Sequence, residues 1–71
     1  MDIKNIKSRL DSNEIIELHN GEDLALVIKS KITGDYLLVF NAKPLFGYKT
    51  FATFQQKANE KIKQYRLTEL I

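Results

Sequence analysis

Two short apolar runs constrain this chain more than any other feature: Leu24-Ala25-Leu26-Val27-Ile28 and Tyr36-Leu37-Leu38-Val39-Phe40. Both are shorter than a typical helix, and Thr33-Gly34-Asp35 between them has turn chemistry. They read as the centres of two antiparallel strands, Asp23 to Ile32 and Tyr36 to Lys43. Strand side chains alternate between faces. Leu24, Leu26 and Ile28 then share one face of the first strand, with Ala25 and Val27 on the other. The second strand sets Tyr36, Leu38 and Phe40 against Leu37 and Val39. A sheet with one wet face alternates apolar and polar residues, and these strands do not. Each face therefore needs a cover, and the reading fails if Ala25, Val27, Leu37 and Val39 all stand in solvent.

The flanking pattern supplies candidates for that cover. Ile3, Ile6 and Leu10 recur at helical spacing, which predicts a short helix from Asp2 to about Leu10, with Asp2 complementing the helix dipole. Asp11-Ser12-Asn13 ends it, because these side chains compete for backbone hydrogen bonds. Glu14 to His19 reads as a strand, and Asn20-Gly21 as a two-residue hairpin turn. Pro44 stops regular pairing or marks an edge. Gly47 to Ala52 reads as a short fourth strand. Thr53-Phe54-Gln55-Gln56 has the form of a capping box. It opens a helix whose apolar stripe is Phe54, Ala58, Ile62 and Tyr65. Leu67, Leu70 and Ile71 make an apolar tail.

The expected fold is α+β, a single domain over residues 1–71. It has a short N-terminal helix, a three- to four-stranded antiparallel meander and a C-terminal helix packed on the sheet. That helix covers one sheet face. The other takes either the N-terminal helix or a partner, and an uncovered apolar patch would mark an interaction site.

Length and composition narrow the partner classes. A 71-residue domain buries only about three fifths of its unfolded surface, so its stability margin is thin. With no cysteine and a single histidine, His19, neither disulfides nor a thiolate or imidazole metal cluster is available to reinforce it. A second copy of the chain is the remaining source of burial. No apolar run is long enough to span a bilayer, and Met1-Asp2-Ile3-Lys4 lacks the core of a signal peptide. The expectation is a cytoplasmic protein without membrane contact. Residues 43–66 carry six Lys/Arg against one Asp/Glu, whereas residues 1–42 carry five against seven. This asymmetry gives nucleic acid a place among the partners.

Motifs for catalysis are missing. There is no nucleophile elbow, no phosphate-cradling glycine loop and no dinucleotide fingerprint. A serine nucleophile needs a base, and His19 beside the Asn-Gly turn has a turn role to explain it. Glu22 and Asp23, adjacent on a strand, diverge and do not converge on a metal or water. The expectation is no enzyme, no catalytic residue, no cofactor and no metal.

The segment 43–51 interleaves basic and aromatic residues. Lys43, Phe46, Tyr48 and Lys49, with Lys57 and Lys61 of the last helix, are the candidate partner or nucleic-acid contacts, rings stacking on bases and lysines meeting phosphates. The alternative is that Phe46, Tyr48 and Phe51 anchor the segment into a core with few large residues. Tyr48 to Thr53, leading into Gln56-Lys57-Ala58, faintly resembles the third strand and helix start of AP2-like and integrase arm-binding domains, which read DNA with a sheet face. The chain departs from them in placing Val27, Leu37 and Val39 where that face would be polar. The α-β-β-β-α order is also similar to double-stranded-RNA-binding domains, but Thr53 to Gln56 lacks their basic helix start. Neither family is adopted. The functional expectation is a small non-enzymatic accessory protein acting through a protein partner, a second copy included, as an inhibitor or adaptor of the kind a phage or mobile element encodes. The rival is a nucleic-acid-binding module using the basic-aromatic segment and the basic helix.

Overall fold

A computed structural model describes residues 3–70. The elements run α1 (Ile6–Asp11), β1 (Ile16–His19), β2 (Leu24–Lys29), β3 (Tyr36–Phe40), β4 (Lys43–Tyr48), α2 (Phe51–Tyr65) and β5 (Thr68–Glu69). The fold is α+β, as expected. Its sheet has five strands in the order β4-β3-β2-β1-β5, every pair antiparallel. The meander is the first four strands. The apolar tail supplies the fifth, since Leu67 is buried and Thr68–Glu69 pairs with β1.

Register sets the faces. Val27 lies opposite Ile16 on one side and Leu38 on the other, and Leu26 lies opposite Glu17 and Val39. Directly opposed residues share a face. Ile16, Leu18, Ala25, Val27, Tyr36 and Leu38 therefore form the inner face, and all are buried. Phe54, Ala58 and Ile62, spaced four apart on α2, close over it, and Leu10 of α1 joins the same cluster. Tyr65 stacks on Phe40 with centroids 4.6 Å apart.

Both helices occupy this one face. The N-terminal helix does not cover the second one, which corrects one option for its cover. Asp11 anchors α1 to the inner face: it accepts from the Tyr36 hydroxyl at 2.7 Å, from Lys29 at 3.1 Å and from Lys7 at 2.8 Å. These donors hold its carboxyl well below the usual carboxylate range, Lys7 contributing most. Arg9 of α1 forks onto Glu69 of β5 and also meets Glu14, tying the helix to the far edge of the sheet. Arg9 in turn lowers the Glu69 pKa.

Several boundaries differ from the sequence expectation, each for a local reason. α1 starts at Ile6 because Asn5 is left-handed, with φ 54°, and Asp2 lies outside the described residues. It ends in a Schellman arrangement, with Asn13 left-handed and Glu14 N–H reaching Arg9 O at 3.0 Å. Asn20-Gly21 does not make a two-residue turn. Residues 20–23 form a four-residue loop in which Asn20 Oδ1 accepts from the amides of Glu22 and Asp23, so those two residues are not on a strand. The two-residue turn lies instead at Asn41-Ala42, both left-handed, and divides Tyr36–Lys43 into the end of β3 and the start of β4. Asn41 donates to Asp23 and accepts from Leu24 N–H, so it locks this turn against the 20–23 loop.

Pro44 sits inside β4, tolerated because β4 is an edge strand and the ladder is bulged beside it. Gly47 and Tyr48 finish β4, and Phe51 and Ala52 already belong to α2. Thr50, not Thr53, is the N-cap, and its side chain makes no capping hydrogen bond. α2 closes with Arg66 left-handed and Leu67 N–H on Ile62 O at 2.9 Å, the second Schellman arrangement. β1 and β2 are shorter than expected, which leaves Ile32 in the β2–β3 turn at 95% exposure.

Candidate protein-binding face

The second face of the sheet is the outstanding surface. By register, Leu24, Leu26 and Ile28 of β2 share it with Leu37 and Val39 of β3. Leu26, not Val27, is therefore the neighbour of Leu37 and Val39. Ala25 and Val27 are wholly buried inside, while Leu26, Ile28, Leu37 and Val39 are partly buried. Leu24 is 47% exposed and Leu45, at the β4 bulge, 46%. Alternation adds Ile15 and Leu70, both exposed, at the β1–β5 side. No helix among the described residues lies over this face. A concavity of about 280 Å³ opens at its end, between the entry to β1 and the exit of β2, with Ile15 and Ile28 in its lining.

Gly47 keeps the face level. It pairs with Leu37, and a Cβ at Gly47 would collide with the Leu37 side chain, so the glycine lets Leu37 lie across β4. Charges on this face are few. Glu17 and His19 alternate onto it from β1, and Asp35 is paired with Lys49 at 3.2 Å beyond Leu37. Among the described residues, neither Glu17 nor His19 uses its side chain in a hydrogen bond or ion pair.

The six contact residues chosen from sequence are not gathered on this face. Phe46 and Tyr48 pack toward the helices: Phe46 stands 6.0 Å from Phe54 and 5.6 Å from Tyr48, centroid to centroid. Phe51, the first residue of α2, meets Tyr36 edge-on at 5.2 Å. These rings serve as core anchors. Lys43 opens β4 and Lys49 follows its last residue, both exposed, Lys49 donating to Thr33 O at 3.0 Å. Lys57 and Lys61 sit one turn apart on α2, Lys61 donating to Gln64 at 3.3 Å. The helix layer as a whole is basic: residues 3–11 and 51–66 carry seven Lys/Arg against two Asp/Glu.

Sequence reasoning identified the doubly apolar strands but missed Leu45, Ile15 and Leu70 as members of the face. The left-handed pair Asn41-Ala42 sets the β3–β4 register and brings Leu45 into the face, and only Asn41 signals such a turn in the sequence.

A groove of about 660 Å³ between α1 and the start of α2 is lined by Ile3, Ile6, Lys7, Asp11, Phe51 and Gln55 among others. Its carboxylate is the one committed to Lys7, Lys29 and Tyr36. Among the described residues no group of three His, Cys, Asp or Glu side chains is placed to hold a metal. No helix of the described residues is long and apolar enough to cross a membrane. Comparison with models of protein families, with curated proteins and with solved structures finds no match.

Proposed function

We propose that this chain is a small non-enzymatic binding protein that acts through a protein partner docked on the open sheet face. One observation carries the reading: the apolar side chains of β2 and β3 on that face have no helix of the described residues over them, both helices being packed on the opposite face. Leaving them wet costs about 25 cal/mol for each Å² of apolar surface, and contiguous apolar patches of this kind mark interaction sites. The helix layer, by contrast, already has its apolar stripe filled and presents polar residues outward.

The test is a tagged capture of protein partners, run with nuclease, comparing the wild type with Leu37→Asp. Leu37 is only partly buried and lies on the face away from the core, so the substitution leaves the core intact. Loss of the captured protein in the variant supports the reading. Equal capture by both chains, or capture of nothing together with a monomeric chain at high concentration, rejects it.

The basic helix layer supports a second reading, phosphate contact through Lys57, Lys61 and their neighbours. Such binding weakens steeply with ionic strength. No retardation of DNA or RNA at low salt removes it.

A further inference from the structure

We infer that the cleft at one end of the open face is a binding site for a free acyl carboxylate of about eight carbons, its chain lying on Ile15 and Ile28 and its carboxylate on the Lys31 ammonium. The inference stands apart from the protein-partner reading, because it concerns a small molecule and uses only this corner of the face.

The backbone makes the cleft. Ile15 and Ile28 come opposite each other when the β1–β2 register is carried one step past the Ile16–Val27 pair. Beyond them the two chains part. Left-handed Asn13 connects the first to α1. Ser30 carries the second into the β2–β3 turn, donating its N–H to Asp35 O at 2.8 Å and accepting on its hydroxyl from the amides of Ile32 and Thr33 at 3.2 and 3.1 Å. The space between the parted chains holds about 280 Å³, and its wall is mostly carbon. Small-molecule sites begin near this size, at about 300 Å³. If each non-hydrogen atom takes about the 30 Å³ of a water in the liquid, the cleft has room for about nine or ten of them, the size of octanoate. Ile15 is 60% exposed, so a chain laid over it removes apolar surface from water.

Charge assigns the head group. Three ionisable side chains line the cleft: Glu14, Lys29 and Lys31. Arg9 holds Glu14, and Lys29 reaches Asp11 at 3.1 Å on the helix side of the sheet. Among the described residues, Lys31 is the one member of the three whose side chain makes no hydrogen bond or ion pair. The charge left to the cleft is therefore positive. Glu17, on the same face two residues further along β1, sets the polarity, since it repels a carboxylate from that end and leaves the Lys31 end for the head group. The mostly carbon wall has little to offer the amides of a peptide, which favours a plain chain over a peptide C-terminus.

Titration of the full chain with octanoate, followed by methyl resonances, tests this. The Ile15 and Ile28 methyls should shift and saturate with a Kd of about 0.1–1 mM, while those of Ile62, buried under α2, stay in place. Octylamine, with the same chain and the opposite charge, should bind at least about fivefold more weakly. Lys31→Met should weaken octanoate about three- to fivefold and leave octanol binding unchanged. Ile15→Asp should abolish octanoate binding with an unchanged far-ultraviolet spectrum. No saturable shift up to about 10 mM overturns the inference. So do shifts that spread to Leu24, Leu37 and Val39 without saturating, equal binding of octylamine, tighter binding of acetyl-leucyl-leucine, or an equal loss of octanol and octanoate binding in Lys31→Met. Leu37 is not in the lining of the cleft, so protein capture that Leu37→Asp abolishes would survive each of these results, and the two readings fail separately.

Discussion

Leu37 and Leu38 are chain neighbours of the same residue type, and the register gives them opposite fates. Leu38 is 0% exposed beneath α2, with Val27 and Phe46 on either side. Leu38→Ala removes a packed side chain and leaves a cavity that the sheet and helix cannot close. Such substitutions cost about 3–5 kcal/mol. At about 0.05–0.15 kcal/mol per residue, the whole domain is stable by only about 4–11 kcal/mol, so this change removes a large part of the margin. At about 4–8 °C per kcal/mol for a domain of this size, the midpoint should fall by at least about 12 °C. Leu37→Ala shortens a partly buried side chain on the open face, leaves no enclosed void, and should cost less than about 1 kcal/mol. The assay is thermal and urea unfolding of both variants by circular dichroism at low micromolar concentration, where association does not add to the apparent stability. A one-residue slip in register exchanges the two positions between faces. Equal losses, or a larger loss at Leu37, would therefore refute the assignment of the open face and every inference drawn from it.

Three further outcomes follow from particular residues. Ala42 is left-handed with φ 70°, which costs a side-chain-bearing residue about 1–2 kcal/mol; Ala42→Gly should recover about 0.5–1 kcal/mol after the added freedom of the unfolded chain is subtracted, seen as a rise in the urea midpoint with unchanged slope. Gly47→Ala should displace Leu37 and roughen the open face, lowering partner capture more than it lowers the melting temperature. Asp11, Asp23 and Glu69 all have folded pKa values below their ordinary ones, Asp11 through Lys7 and Tyr36, Asp23 through Asn41 and Asn20, and Glu69 through Arg9. A depressed carboxylate stabilises the fold above its unfolded pKa, so stability should be level near neutrality and fall as pH drops below about 4. Asp11→Asn should be less stable at pH 7 and lose less on acidification, read from melting temperature against pH.

The class of the fold was legible because it rests on periodicity. The two apolar runs and the Phe54-Ala58-Ile62 stripe announce strands and a covering helix, and no tertiary contact overrides them. Boundaries were less legible because they rest on single backbone conformations. Asn-Gly at 20–21 has the stronger hairpin signal, yet Asn20 spends its side chain on the amides of Glu22 and Asp23, and Asn41-Ala42 makes the two-residue turn. Ala42 gives no compositional hint of a left-handed residue. The grouping of Val27 with Leu37 failed for the same reason, since alternation sorts residues within a strand but only the turn fixes which sets meet across strands. The basic-aromatic segment 43–51 stands out in the sequence, and its aromatic half is explained by packing: Phe46 meets Phe54 and Phe51 meets Tyr36.

The open face follows from how much helix the chain contains. A sheet of five strands is about 24 Å wide, and a packed helix covers a strip about 10 Å across. Covering one face takes two helices, and among the described residues there are two. α2, with 15 residues, spans the sheet over β3 and β4, while α1, with six, fills the remainder through Leu10 and is held there by Asp11 and Arg9. A helix moved to the other face would expose Leu10, Ile16 and Val27 in exchange. Two helices can bury one face or half of each, and burying one fully gives the larger enclosed core. The second face then keeps its leucines, isoleucine and valine only at the cost of wet apolar surface. Polar residues there would remove that cost without touching the core, and this apolar choice on β2 and β3 is what the proposed docking of a protein partner accounts for.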